Sequence, residues 1–291
     1  MPPRAFLSPE EMFPAGRIKL RVWRLRLASG LRVRIVETGE DAAPPVVFIP
    51  GWGCSTYIFR ETLTAVAFAG FRVIAVELKG HGLSDKPSSP DEYTTDAMCR
   101  HLSEIIDALD AGPVHLVGHS MGAAIAAHTA AIAPDKVISL VLVAPVGFAG
   151  VPGMSVLRTV TPNSSLAMIR RLTTHGMVRR LLGFVYGRRR RANDRDVEEF
   201  RAPVQFPAFV RAMRHLLHRF EWRSAFPSLS IPWITLLGSE DFLSPVADAH
   251  LFRGPGSAMA VTVIKGAGHV IFDEAPELVN PALTLFLTGR R

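Results

Sequence analysis

Short apolar runs separated by helix-like stretches organise this chain. Residues 46–49, 71–76, 114–117, 137–143, 231–237 and 259–264 are nearly continuous in hydrophobic side chains, the pattern of strands buried on both faces. Between most of them lie stretches with helical spacing, at 57–69, 95–109, 121–133 and 245–252. Ahead of this series, residues 21–27 and 31–38 alternate basic and apolar positions around Ser29-Gly30, which predicts a hairpin with one solvated face. Strand and helix alternating through short links predict an α/β fold, a mostly parallel sheet flanked by helices.

The alternation stops between residues 147 and 227. That interval holds helix-like pieces at 164–172, 177–184 and 207–220 but no strand run. A helical insertion after the sixth strand accounts for it, because a loop leaving the edge of a sheet can grow without disturbing the sheet. The chain therefore reads as a core of residues 1–146 and 228–291, interrupted by an insertion at 147–227.

Charge sharpens this division. The whole chain carries +7, whereas residues 147–226 hold fifteen Arg, no Lys and five acidic residues, a net +10, so the remainder is mildly acidic. Such an insertion suits an anionic lipid surface, an acidic substrate or a partner protein, unless its Arg-rich faces are simply solvated. No nucleic-acid-binding motif accompanies the charge, which argues against nucleic acid.

Hydrophobic residues make up 48% of the 291, enough for a sizeable core. Residues 111–134 and 137–157 lack Asp, Glu, Lys and Arg over a membrane-spanning length, but their Gly, Pro and His residues point to buried strands instead. Cys54 and Cys99 form no spaced framework and read as free thiols in a reducing compartment. The first ten residues lack the apolar segment of a secretory signal, so the expected location is cytoplasmic.

The candidate chemistry begins at Gly118-His119-Ser120-Met121-Gly122, which follows an apolar run and opens an Ala-rich helical stretch. A serine at a sharp strand-to-helix turn takes a strained backbone conformation, and the positions two before and two after it must be small. A serine hydroxyl also needs a base within hydrogen-bond reach and a group to orient that base. Asp241 follows the strand at 231–237, and His269 follows the strand at 259–264 within Gly266-Ala267-Gly268-His269, so both fall on loops at the edge where Ser120 sits. Glu240 and Asp248 are competing carboxylates, and Asp241 has a second reading as a helix cap. Backbone N–H donors for an oxyanion are expected from Met121, at the start of the helix, and from Trp52 in Pro50-Gly51-Trp52-Gly53.

Other histidines invite weaker readings. His115 and His119, and the pair His215 and His218, lack a carboxylate in a metal-site pattern, and His81 in its Gly-rich turn reads as structural. Neither a metal nor a phosphate-cradling or dinucleotide-binding loop is indicated, so no cofactor is expected. Phe148, Met154, Leu157, Met168, Phe184, Phe206 and Phe209 would line an acyl pocket or form the core of the insertion.

With these residues in view, the chain resembles the α/β-hydrolase superfamily, specifically a serine esterase or lipase-like member with a helical cap. The resemblance extends to Glu77-Leu78-Lys79-Gly80-His81-Gly82-Leu83-Ser84-Asp85 and to His269 followed by Glu274-Ala275-Pro276-Glu277. It implies that Ser120 is the nucleophile, His269 the base, Asp241 its orienter, and Trp52 and Met121 the oxyanion donors. The chain departs from the family where Pro50 replaces a frequent His and Ala123 a frequent Gly. The implied activity is cleavage of a small apolar carboxylic ester through an acyl-serine. A serine at position 120 argues against the haloalkane dehalogenase and epoxide hydrolase branches, whose covalent intermediates are alkyl esters of a carboxylate. Thioester cleavage, C–C bond hydrolysis and peracid formation share the serine machinery, and a ligand receptor on the same fold is the non-enzymatic alternative.

Overall fold

A computed structural model describes residues 6–12, 20–162, 166–252 and 261–290. Among them eight strands form one sheet: β1 (Arg21–Arg26), β2 (Arg32–Thr38), β3 (Pro45–Ile49), β4 (Arg72–Glu77), β5 (Val114–His119), β6 (Val137–Val143), β7 (Trp233–Gly238) and β8 (Thr262–Ile264). Their spatial order is β1-β2-β4-β3-β5-β6-β7-β8. β2 pairs antiparallel with β1 and with β4, and every later pairing is parallel. Chain order reverses around β3, the kind of switch point at which open α/β sheets build their sites.

The continuous hydrophobicity of the central strands reflects two cores, one on each face. Val47, Ile49, Leu116 and Leu140 pack with helices α2 (Thr95–Leu109) and α3 (Met121–Ile132), while Val46, Phe48, Val117 and Val141 pack with α1 (Arg60–Phe68) and the last helix (Pro276–Thr288). Each such side chain stabilises the fold by roughly 1.5–3 kcal/mol on leaving water. α3 is a helix rather than strand, although most of its residues are buried. Its alanines let it lie close to β5 and α2, so the charge-free stretch 111–134 is one strand plus one enclosed helix. The stretch 137–157 likewise yields one strand, β6, and then a loop and a helix.

Five helices and no strand lie between β6 and β7 among the described residues: α4 (Met154–Val160), α5 (Leu166–Leu172), α6 (His175–Val185), α7 (Asp194–Arg201) and α8 (Pro207–Arg219). Two were not evident from periodicity. α4 buries no residue, and α7 (DRDVEEFR) is too polar to show a stripe; it is started instead by a capping box between Asn193 and Asp196. The expected helix over 57–69 begins as a 3₁₀ turn, Thr56–Phe59, capped by Ser55, and that over 245–252 is a 3₁₀ turn, Val246–Leu251. Residues 164, 165, 259 and 260, expected in a helix and a strand, lie outside the described residues. After β8 come α9 (Ile271–Glu274) and α10 (Pro276–Thr288). No helix among the described residues is long and apolar enough to cross a membrane.

Candidate active site

Ser120 stands between β5 and α3 with φ 55° and ψ −124°. A non-glycine residue in this region costs on the order of 1–3 kcal/mol, and the surrounding backbone holds it there. Ser120 N–H donates to Val143 O at 2.9 Å, and Ser120 O accepts from Ala123 and Val146 N–H. Both flanking glycines are sterically required. A Cβ at Gly118 would lie 2.5 Å from Ala123 Cα, and one at Gly122 would lie 2.4 Å from Ile49 O. Gly122 is thus kept small by the end of β3, not by Gly118 alone.

The structure brings Asp241 and His269 to the same place. His269 Nε2 lies 2.9 Å from Ser120 Oγ, and His269 Nδ1 lies 2.8 Å from Asp241 Oδ2. All three residues are buried. Asp241 Oδ1 accepts N–H bonds from Leu243 (2.8 Å) and Ser244 (3.1 Å), which leaves Oδ2 for the imidazole. Burial works to raise the Asp241 carboxyl, but the His269 imidazole and these donors outweigh it and hold it below the usual carboxylate range. The competing carboxylates are placed elsewhere: Glu240 pairs with Arg188, and Asp248 sits in the 3₁₀ turn after Pro245.

Met121 is the first residue of α3, where a backbone N–H has no acceptor within its helix. Trp52 follows Gly51, whose backbone lies against the serine; a Cβ at Gly51 would come 2.7 Å from Ser120 Cβ and 3.2 Å from Oγ. The Trp52 indole donates to Met213 O on α8 at 3.1 Å and meets Trp222 edge-on, tying this loop to the insertion. Cys54 is buried nearby, and burial pushes its thiol up to about 12, so it offers no thiolate to compete with the serine.

Several residues around the site carried no clear sequence signal. His119 Nε2 lies 2.9 Å from the backbone oxygen of His269, and a carbonyl only accepts, so Nε2 bears the hydrogen. Burial, and then the neighbouring His269, push His119 down to about 3, so it stays neutral. Glu274 is a second buried acceptor: its carboxylate takes the N–H groups of Gly187 (2.6 Å), Gly268 (2.9 Å) and Val270 (3.1 Å). His269 N–H in turn donates to Val185 O at 2.7 Å. Glycines at 187, 238 and 268 permit this contact, since a Cβ at any of them would fall within 2.5 Å of backbone. The histidine loop is therefore hydrogen-bonded directly to the insertion just after α6.

A buried ionic cluster secures the same junction. Asp196 and Asp273 share Arg60 and Arg190, with Tyr57 OH donating to Asp196 (3.0 Å) and Tyr186 OH to Asp273 (2.6 Å). A polar cleft of about 600 Å³ opens beside it, lined by Arg60, Arg189, Arg190, Asp273 and Glu277 among others. Its walls are ion pairs already made, and Ser120 is not among its lining residues, so the cleft is separate from the site. Among the expected pocket residues, Phe148 and Phe209 are buried in core and Met154 and Phe206 pack partly against it, whereas Leu157, Met168 and Phe184 face solvent. His81 is buried, with Nδ1 3.3 Å from Lys79 O. No group of three His, Cys, Asp or Glu side chains among the described residues is placed to hold a metal.

A family model described as alpha/beta hydrolase fold matches residues 44–208. The chain belongs to the α/β-hydrolase fold family. It is 28% identical over 270 residues, 89% of this chain and 67% of the relative, to the dihydrolipoyllysine-residue acetyltransferase component of an acetoin cleaving system from Pseudomonas putida. Epoxide hydrolase A of Mycobacterium tuberculosis is 24% identical, covering 91% of this chain and 97% of that protein. Among solved structures, a serine hydrolase involved in carbazole degradation superposes with a TM-score of 0.77 at 23% identity, covering 94% of this chain and all of that one, a likeness of fold.

Proposed function

We propose that this α/β hydrolase is a serine hydrolase that cleaves a carboxylic ester through an acyl-serine intermediate, with no cofactor. The supporting observation is the unbroken hydrogen-bonded line from Ser120 Oγ through His269 to Asp241. His269 Nε2 takes the hydroxyl proton as Oγ attacks the ester carbonyl, and the Asp241 carboxylate stabilises the imidazolium that forms. The N–H groups of Met121 and Trp52 receive the oxyanion, each worth about 3 kcal/mol. His269 then returns the proton to the departing alkoxide, which leaves as an alcohol. Water, deprotonated by the same imidazole, attacks the acyl-serine and releases the acid.

The residue at position 120 separates this reading from that of a relative named for epoxide hydrolysis. A carboxylate opening an epoxide forms an ester that water can cleave, whereas a serine would form an ether that this relay has no means to hydrolyse. In this reading residues 147–227 act as a cap over the core, 1–146 and 228–291. The bonds from Trp52 to Met213 and from His269 to Val185 support that role.

A fluorophosphonate probe should label the wild-type protein at Ser120, and Ser120→Ala should show neither labelling nor turnover of p-nitrophenyl esters. Absence of labelling in folded wild-type protein would favour a ligand receptor. Labelling with turnover of thioesters or C–C substrates but not of oxygen esters would redirect the substrate class.

A further inference from the structure

Helices α4 to α6 leave apolar surface uncovered to an unusual degree. Of eighteen large hydrophobic side chains exposed among the described residues, eight lie on these three helices. On α6, Val178 and Leu182 turn inward and are buried, while Met177, Leu181 and Phe184 recur at i, i+4 and i+7 as a second stripe, 43, 55 and 71% exposed. α5 exposes Met168 and Leu172 one turn apart, and α4 exposes Val156 and Val160 at the same spacing. A solvated helix face does not call for such stripes on three successive helices.

The charge of this segment is one-sided. Residues 147–193 contain nine Arg and no Asp or Glu, although Arg179, Arg188, Arg189 and Arg190 pair with acidic residues outside the segment. Arg158 and Arg170 donate to backbone carbonyls of Leu217 and Phe220 and of Val204 and Gln205, so these bonds leave their charge unneutralised. Arg171 and Arg180 are exposed on α5 and α6 beside the stripes. Apolar stripes with flanking arginines on helices far too short to span a bilayer match the surface of an anionic membrane, where such helices lie in the interfacial plane.

We propose that α4–α6 dock this protein onto an anionic lipid bilayer, with the apolar stripes seated among the headgroups and the arginines on lipid phosphates. This surface does not depend on the chemistry assigned to Ser120, so it is tested by binding alone. The full chain should cosediment with vesicles of phosphatidylcholine and phosphatidylglycerol in equal parts at least tenfold more strongly than with phosphatidylcholine alone, and added salt should weaken the binding. Leu181→Glu with Phe184→Glu, both at exposed positions, should lower it tenfold or more, and Arg171→Gln with Arg180→Gln should lower it severalfold on the anionic vesicles only. Three results would overturn the proposal. These are no binding to anionic vesicles, binding that survives the Leu181→Glu/Phe184→Glu change, and a wild-type dimer that this change dissociates, which would mean that a second copy covers the face.

Discussion

Gly51 shows how little room the site has. Its backbone lies against Ser120, and a methyl group there would press on Ser120 Cβ at 2.7 Å and on His119 Nδ1 at 3.1 Å. Gly51→Ala should therefore displace the serine or the Trp52 loop, lowering kcat on a p-nitrophenyl ester about 100-fold while the circular dichroism spectrum stays native. Asp241→Asn tests the other end of the relay. An amide in place of Oδ2 cannot hold the imidazole in the tautomer that leaves Nε2 free to accept a proton, so kcat should fall on the order of 10³–10⁴-fold. Unchanged turnover in Asp241→Asn would remove Asp241 from the mechanism. At this scale the sequence was informative about Ser120, because the elbow demands small neighbours. It said little about His119 or Glu274, whose partners are backbone atoms, among them those of His269 and Gly187 far along the chain.

Among the elements, the junction between the insertion and the histidine loop is the most consequential. Val185 O, Gly187 N–H and the Glu274 carboxylate bind the segment after α6 to the loop carrying His269, and the Asp196–Asp273 cluster lies beside them. Buried ion pairs contribute little net stability, but removing one partner from them is costly, so their effect here is to hold one arrangement of the insertion. Glu274→Gln replaces one acceptor oxygen by an N–H donor facing other N–H donors. The segment should loosen, and trypsin should cleave within Arg188–Arg191 several times faster than in wild-type protein, with a lower kcat. Equal cleavage rates would show that Glu274 does not hold the junction. Periodicity revealed α6 and α8 but not α4 or α7, because α7 buries acidic side chains against arginines rather than an apolar stripe.

For the molecule as a whole, buried neutral histidines tie stability to pH. Burial pushes His81 down to about 4 and His101 to about 3, the latter also through the charges of Lys79 and His81, and His119 is likewise lowered to about 3. Unfolded, each binds a proton near pH 6.5, so the stability they contribute is present above that pH and is lost as pH falls towards their folded values. Glu199, raised to about 7 mainly by burial, works the opposite way, because its folded form keeps a proton that the unfolded chain has released. His101 isolates one such group: its Nε2 accepts Lys79 N–H at 2.9 Å, a role that a glutamine oxygen can take. Urea unfolding of His101→Gln between about pH 7 and pH 5 should show stability falling by about 2 kcal/mol less than in wild type over that interval. An identical pH dependence would mean that His101 takes up its proton as readily in the folded protein as in the unfolded chain. The sequence by itself determined the α/β alternation, the helical stretch between β6 and β7 with its positive charge, and the sharp turn at Ser120, because each is written in local spacing and composition. Only the tertiary structure decided that Asp241 rather than Glu240 meets His269, that Glu274 and Val185 bind the histidine loop to the insertion, and that the stripes on α4 to α6 face outward. Those outcomes depend on which distant segments approach within hydrogen-bond distance, and the spacing of residues along one chain carries no record of that.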